Sequence, residues 1–200
     1  MTKARSAAGI SEKRGVGRRP LSGSYVQNPD RIHPLRTTPD GFESTEWRNA
    51  DRSLVTEQRI RAARPVVPFT DNGARILGHR YWREVVRASH GLVRCRETSD
   101  RVELSVIGPR PVLLRFGGAE IAVGDDVVSC TYRIRGGLLS LGERGTLVVS
   151  QAGRKDPELQ VMVDGFLARL GGGILYGVQR RAHLAVSRRY FRHLLADLPR

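Results

Sequence analysis

From Val93 onward, short runs of alternating apolar and polar residues follow one another, separated by glycine, proline and acidic turns. Val102, Leu104 and Val106 alternate with Glu103 and Ser105; Val128, Cys130, Tyr132 and Ile134 alternate with Ser129, Thr131 and Arg133. A side-chain period of two puts one set on a buried face and the other in water. Val93 with Cys95, Val112 to Phe116, Ile121 with Val123, Leu147 with Val149, and Leu159, Val161 and Val163 add further strands of the same kind. The links between them are too short for crossover helices. Six or seven such strands therefore predict an antiparallel sheet with one apolar and one polar face.

Two helices frame that sheet. Leu77, Tyr81, Val85 and Ala88 recur at helical spacing with Trp82 and Val86 beside them, which predicts a helix over 74–90. Asp71 or Asn72 would cap it, Glu84 and Arg87 would pair at i, i+3, and Gly91 would end it. After the strand at Leu159–Val163, Gly171-Gly172-Gly173 leads into a long basic helix ending near Leu198-Pro199. Its apolar residues form two sectors. Leu175, Val178, Ala182, Ala185 and Val186 make one; Tyr190, Phe191, Leu194, Leu195 and Leu198 make another, rotated by roughly 150°. Either the helix bends near Ser187 or its halves face different surfaces, with a strand over Ala182–Val186 as a third reading. The expected fold class is α+β: an antiparallel sheet preceded by one helix, covered by a long C-terminal helix, with a disordered N-terminal arm.

The arm is residues 1–43. Its apolar residues are isolated and cannot offset the entropy of ordering the chain. Residues 44–73 are read as a candidate short helix followed by a proline-rich linker, broken by Pro65, Pro68 and Thr70-Asp71-Asn72-Gly73. Residues 74–200 are read as a single α+β domain. The net charge of +14 favours a polyanionic partner. Only three of the 34 basic residues are lysine (Lys3, Lys13, Lys155), however, and so arginine-heavy a skew is also what GC-rich bacterial genomes write into their proteins.

No catalytic signature is present: HExxH, GxSxG, a phosphate-binding loop and a dinucleotide fingerprint are all missing. Cys95 and Cys130 lack metal-ligand spacing and sit at apolar strand positions, so they read as small core residues. His79, His90, His183 and His193 have no i, i+4 partner to share a metal, and Asp125-Asp126 follows a glycine and reads as a turn. The Gly171–Gly173 run could offer backbone N–H groups to an anion, and reads equally as a hinge. No cofactor, metal or catalytic residue is assigned. With no signal-like leader and no membrane span, the expected location is cytoplasmic.

The order of elements, and the ending Leu159-Gln160-Val161-Met162-Val163-Asp164-Gly165-Phe166 into Ile174-Leu175-Tyr176, resembles the helix-grip domains of the START and polyketide-cyclase-like kind. The resemblance covers about Val102 to Leu198. It implies a cleft between sheet and terminal helix that holds an apolar ligand. The departure is the helix before the sheet, where such folds place two short helices between their first two strands. No residue motif carries over.

On this reading the first expected function is non-catalytic binding of a small apolar ligand, lined by Tyr132, Ile134, Leu147, Val161, Tyr176 and Gln179. An enzyme on the same scaffold would need a polar group in the cleft, Tyr132, His183 or Asp164 being nearest. The alternative is binding of nucleic acid or an anionic surface through the basic arm (Arg14, Arg18, Arg19) and the Arg181, Arg188 and Arg192 face of the terminal helix. A scaffold docking through exposed sheet edges is a third reading.

Overall fold

The computed structural model describes residues 33–38, 40–107, 111–169 and 174–197; residues 1–32, which hold most of the expected arm, lie outside these. Strands β1 (His33–Thr37), β2 (Glu43–Arg48) and β3 (Leu54–Arg61) come first, followed by helix α1 (Asp71–Ala88). Then follow β4 (Val93–Glu97), β5 (Arg101–Val106), β6 (Val112–Gly117), β7 (Glu120–Val123), β8 (Val127–Arg133), β9 (Thr146–Ala152) and β10 (Glu158–Phe166). Helix α2 (Ile174–Ala196) closes the chain. The fold is α+β, and the strand pairs are antiparallel.

The larger sheet runs β1-β2-β3-β10-β9-β8-β7, and the smaller runs β4-β5-β6. The alternating segments from Val93 to Val163 all become strands, but they divide between two sheets. Beyond β6 the small sheet is tied to the end of β8: Arg115 N donates to Gly136 O at 2.8 Å and Arg135 N to Arg115 O at 2.7 Å. Gly137 makes this join close. Its φ is +122° and a Cβ there would fall 2.5 Å from Leu113 O, so no other residue fits without moving backbone.

The first correction falls on residues 44–64, expected to hold a helix, which form β2 and β3 instead. Asn49 to Ser53 is a hairpin turn: Asn49 N donates to Ser53 O and Arg52 N to Asn49 O, both at 2.9 Å, and Arg52 takes a left-handed φ of 63°. Such a turn stops a helix whatever the flanking propensities. β3 then pairs along β10, with Leu159 opposite Ile60 and Val161 opposite Gln58, so the early hairpin sits within the large sheet. The proline-rich stretch that follows is fastened too. The buried Gln151 side chain accepts from Val66 N at 2.7 Å and Val67 N at 3.1 Å, and donates to Val67 O at 2.9 Å.

Helix α1 begins three residues earlier than the apolar spacing implies, because Thr70 caps it in place of Asp71 or Asn72. Thr70 Oγ1 accepts from Gly73 N at 3.2 Å. Leu77, Tyr81 and Trp82 are buried, and Glu84 pairs with Arg87 at 2.6 Å. Helix α2 runs unbroken through Ser187. Val186, Tyr190, Phe191 and Leu194 are buried. Tyr190 OH donates to Leu77 O at 3.1 Å, its ring meets Tyr81 edge-on at 5.5 Å, and Phe191 lies 6.0 Å from Phe42. The C-terminal half of α2 is thereby held against α1. The stretch from Arg180 to Val186 faces a cavity.

Candidate ligand cavity between the sheets and the terminal helix

The cavity has a volume of about 370 Å³. Its apolar walls come from three directions. Helix α1 supplies Tyr81, Trp82 and Val85, the small sheet supplies Val93, Leu104, Leu113, Leu114 and Phe116, and the large sheet supplies Leu54, Leu147, Val163 and Phe166. Ile134 and Leu139, beyond β8, and Leu184 and Val186 on α2 complete them. Trp82 is the keystone of the aromatic wall, with Phe116 at 4.9 Å, Tyr132 at 5.0 Å and Tyr81 at 5.3 Å from its ring.

One seam is polar, and the strand and helix periods explain why. Leu54, Thr56 and Gln58 alternate along β3 and share its cavity face, and Glu46 on β2 stands directly across from Thr56. On α2, Arg180, His183 and Ser187 recur at i, i+3 and i+7, a single helix face. The two faces meet residue for residue. Arg180 Nε donates to Glu46 Oε2 at 2.8 Å, Thr56 Oγ1 lies 3.2 Å from His183 Nε2, and Ser187 Oγ donates to Gln58 Oε1 at 3.2 Å. Tyr81 OH approaches the other ring nitrogen, His183 Nδ1, at 3.4 Å.

Burial decides the charge on this seam. It holds the His183 imidazole down to about 4 against the opposing pull of Glu46, so at neutral pH one ring nitrogen donates and the other accepts. Burial also pushes the Tyr81 phenol far above its ordinary range, and it stays protonated. Glu46 and Arg180 form an ion pair at 2.8 Å, with Glu46 almost fully covered. Elsewhere, burial followed by the charge of Glu97 raises the Cys95 thiol to about 12, and burial raises Cys130; both are free thiols without thiolate character. Among the described residues no group of three or more His, Cys, Asp and Glu could hold a metal ion. No helix there is long and apolar enough to cross a membrane.

Of the residues expected to line a cleft, Ile134 and Leu147 do so. Tyr132 and Val161 lie within the core and not among the lining residues; Tyr132 packs behind Trp82. Tyr176 and Gln179 belong to the first turns of α2, whose side chains lie outside the described residues. His183 lines the cavity, whereas Asp164 is exposed and does not. The polar members on β2 and β3 escape the sequence reading because that stretch reads as a helix. The usable signal is the turn cluster Asn49-Ala50-Asp51-Arg52-Ser53 flanked by Thr45, Val55, Thr56 and Ile60. Of the basic face, Arg188 is engaged by Asp40 at 2.9 Å and Arg181 and Arg192 are exposed. Arg14, Arg18, Arg19 and the Gly171–Gly173 run lie outside the described residues.

No family model and no curated protein matches the chain. Among solved structures it is similar to human StAR-related lipid transfer protein 5, at 8% identity and a TM-score of 0.46 over 82% of this chain and 84% of that one. It is also similar to human STARD10, at 12% identity and a TM-score of 0.46 over 82% of this chain and 71% of that one.

Proposed function

We propose that this chain binds a small apolar ligand in the cavity under α2. The observation that supports the reading is a void of about 370 Å³ whose walls are nearly all aliphatic or aromatic and whose polar groups are confined to one seam. A partly open apolar cleft of that size leaves its lining without dispersion partners on one side, contacts that a bound molecule restores. The volume falls in the range of small-molecule sites, and the ratio of many apolar walls to few placed polar groups is their usual composition. The neutral His183, the protonated Tyr81 and the absence of a thiolate favour holding over turnover.

The test is uptake of uncharged C10–C16 alcohols and methyl esters by the full chain, followed by displacement of an environment-sensitive fluorophore and by native mass spectrometry. Micromolar uptake is expected, together with its loss in Leu147→Trp, where the indole fills the void while the thermal transition is kept. Absence of uptake across both series at the solubility limit would overturn the reading.

A further inference from the structure

We propose that the groove between α1 and the end of α2, built on Arg80, Arg83, Arg87, Arg189 and His193, binds a phosphate monoester. It is a second site: the groove and the apolar cavity share no lining residue, and the inference does not rest on the apolar-ligand reading.

Three observations carry it. First, the groove has a volume of about 330 Å³, with Arg80, Arg83, Glu84 and Arg87 contributed by α1 and His193 and Asp197 by the end of α2. Buried Tyr190 and Leu194 also line it. Second, one buried carboxylate fixes the positions of three basic groups. Glu84, with a side-chain exposure of 4%, meets Arg87 Nη1 at 2.6 Å, Arg189 Nε at 3.2 Å and His193 Nδ1 at 2.9 Å. Against the cost of burial, hydrogen bonds from His193 and Arg87 hold the Glu84 carboxyl below its ordinary value, so it stays ionised. Third, positive charge is in surplus. Arg80 is matched by Asp197, Arg87 and Arg189 share Glu84, and the exposed Arg83 has no partner among the described residues. Four guanidinium groups therefore stand against two carboxylates.

A phosphate monoester carries a charge of about −1.5 to −2 near neutral pH, which matches that surplus. Guanidinium groups grip phosphate oxygens in a two-pronged fork and are weakly hydrated, so they give up water readily. Holding Arg87 and Arg189 on Glu84 in advance lowers the entropy lost when an anion orders them. The concave shape suits one small group, whereas a long polyanion needs a continuous basic face. Arg181, on the exposed side of α2, is outside the groove.

The experiment titrates the full chain with phenyl phosphate by calorimetry while NMR follows the His193 ring resonances. A parallel arm measures cosedimentation with phosphatidylcholine vesicles, with and without phosphatidic acid. Saturable binding that shifts the His193 resonances is expected, weakening about tenfold or more in Arg83→Glu. Arg83 has no partner to lose, so that variant should keep its thermal transition. Arg87→Gln/Arg189→Gln should abolish binding too, with some loss of stability because Glu84 is left short of partners. Arg181→Glu makes the same change of charge outside the groove and should leave the affinity within about twofold. Uptake of phenyl phosphate would identify a soluble monoester. Binding to phosphatidic acid vesicles alone, lost in Arg83→Glu and kept in Arg181→Glu, would identify a lipid headgroup. Binding in neither arm would overturn the proposal, and so would equal weakening by Arg83→Glu and Arg181→Glu, which would make the attraction one of net charge.

Discussion

His183 shows how a single side chain can make the polar seam sensitive to acid. Burial holds its folded-state value at about 4, below the ordinary 6.5. The unfolded chain therefore takes up a proton between those values while the folded chain does not. Stability contributed by the neutral ring is complete above 6.5 and is lost as the pH falls from there to 4. At about 1.4 kcal/mol per unit, and discounting for the part of the ring that faces the cavity, the loss is about 2 kcal/mol. Urea midpoints at pH 7.5 and pH 4.5 should differ more for the unmodified chain than for His183→Gln. Carboxylate effects common to both chains cancel in that comparison. Parallel pH dependence of the two would mean that the imidazole titrates freely and that the seam is open to water.

At the scale of elements, the contact between α1 and β8 is set by a residue with no side chain. Gly78 lies on the buried face of α1, and a Cβ there would run into Tyr132 Oη and fall 2.8 Å from Cys130 Sγ. In an exposed helix Gly→Ala stabilises by about 1 kcal/mol. Here Tyr132 is only 1% exposed and fixed against Trp82, so Gly78→Ala should destabilise by about 1–3 kcal/mol. Chemical denaturation decides the sign, and a stabilised variant would show that Tyr132 can move aside. The same helix marks how far sequence reading reaches. Leu77, Tyr81 and Trp82 declare their face by spacing alone, and β5 declares its own by alternation, because each element buries one side and wets the other. β3 does not alternate: Val55, Thr56, Glu57 and Gln58 are all buried, so its polar residues mimic a solvated helix face. Ile134 and Leu147 could be singled out as cavity lining, but Glu46 and Arg180 could not, since their pairing joins positions far apart in the chain and depends on a hairpin the residues do not advertise.

For the whole molecule, the question is where the cooperative unit begins. Proline and turn residues between β3 and α1 suggest a boundary near Ala74, and a chain starting there would retain α1 without its first three residues and its Thr70 cap, both sheets from β4 onward and α2. It would lose β3, which pairs with β10 from Arg61 opposite Glu158 to Leu54 opposite Phe166. β10, otherwise interior, would become an edge presenting a long row of unpaired backbone groups. The buried side chains of Phe42, Val55, Ile60 and Val67 would go with it, as would the partners of Arg180, His183 and Ser187, leaving α2 a polar face over a missing wall. Losing four core side chains at about 1.5–3 kcal/mol each removes about as much stability as a domain of this size has. The folding unit therefore begins before β2 on this argument, and the chain from Ala74 should show no cooperative thermal transition and little amide dispersion by NMR, and should aggregate. A sharp transition and native-like dispersion from that shorter chain would show that the early hairpin is an accessory layer, and the cavity would then have to be built without Glu46, Thr56 and Gln58.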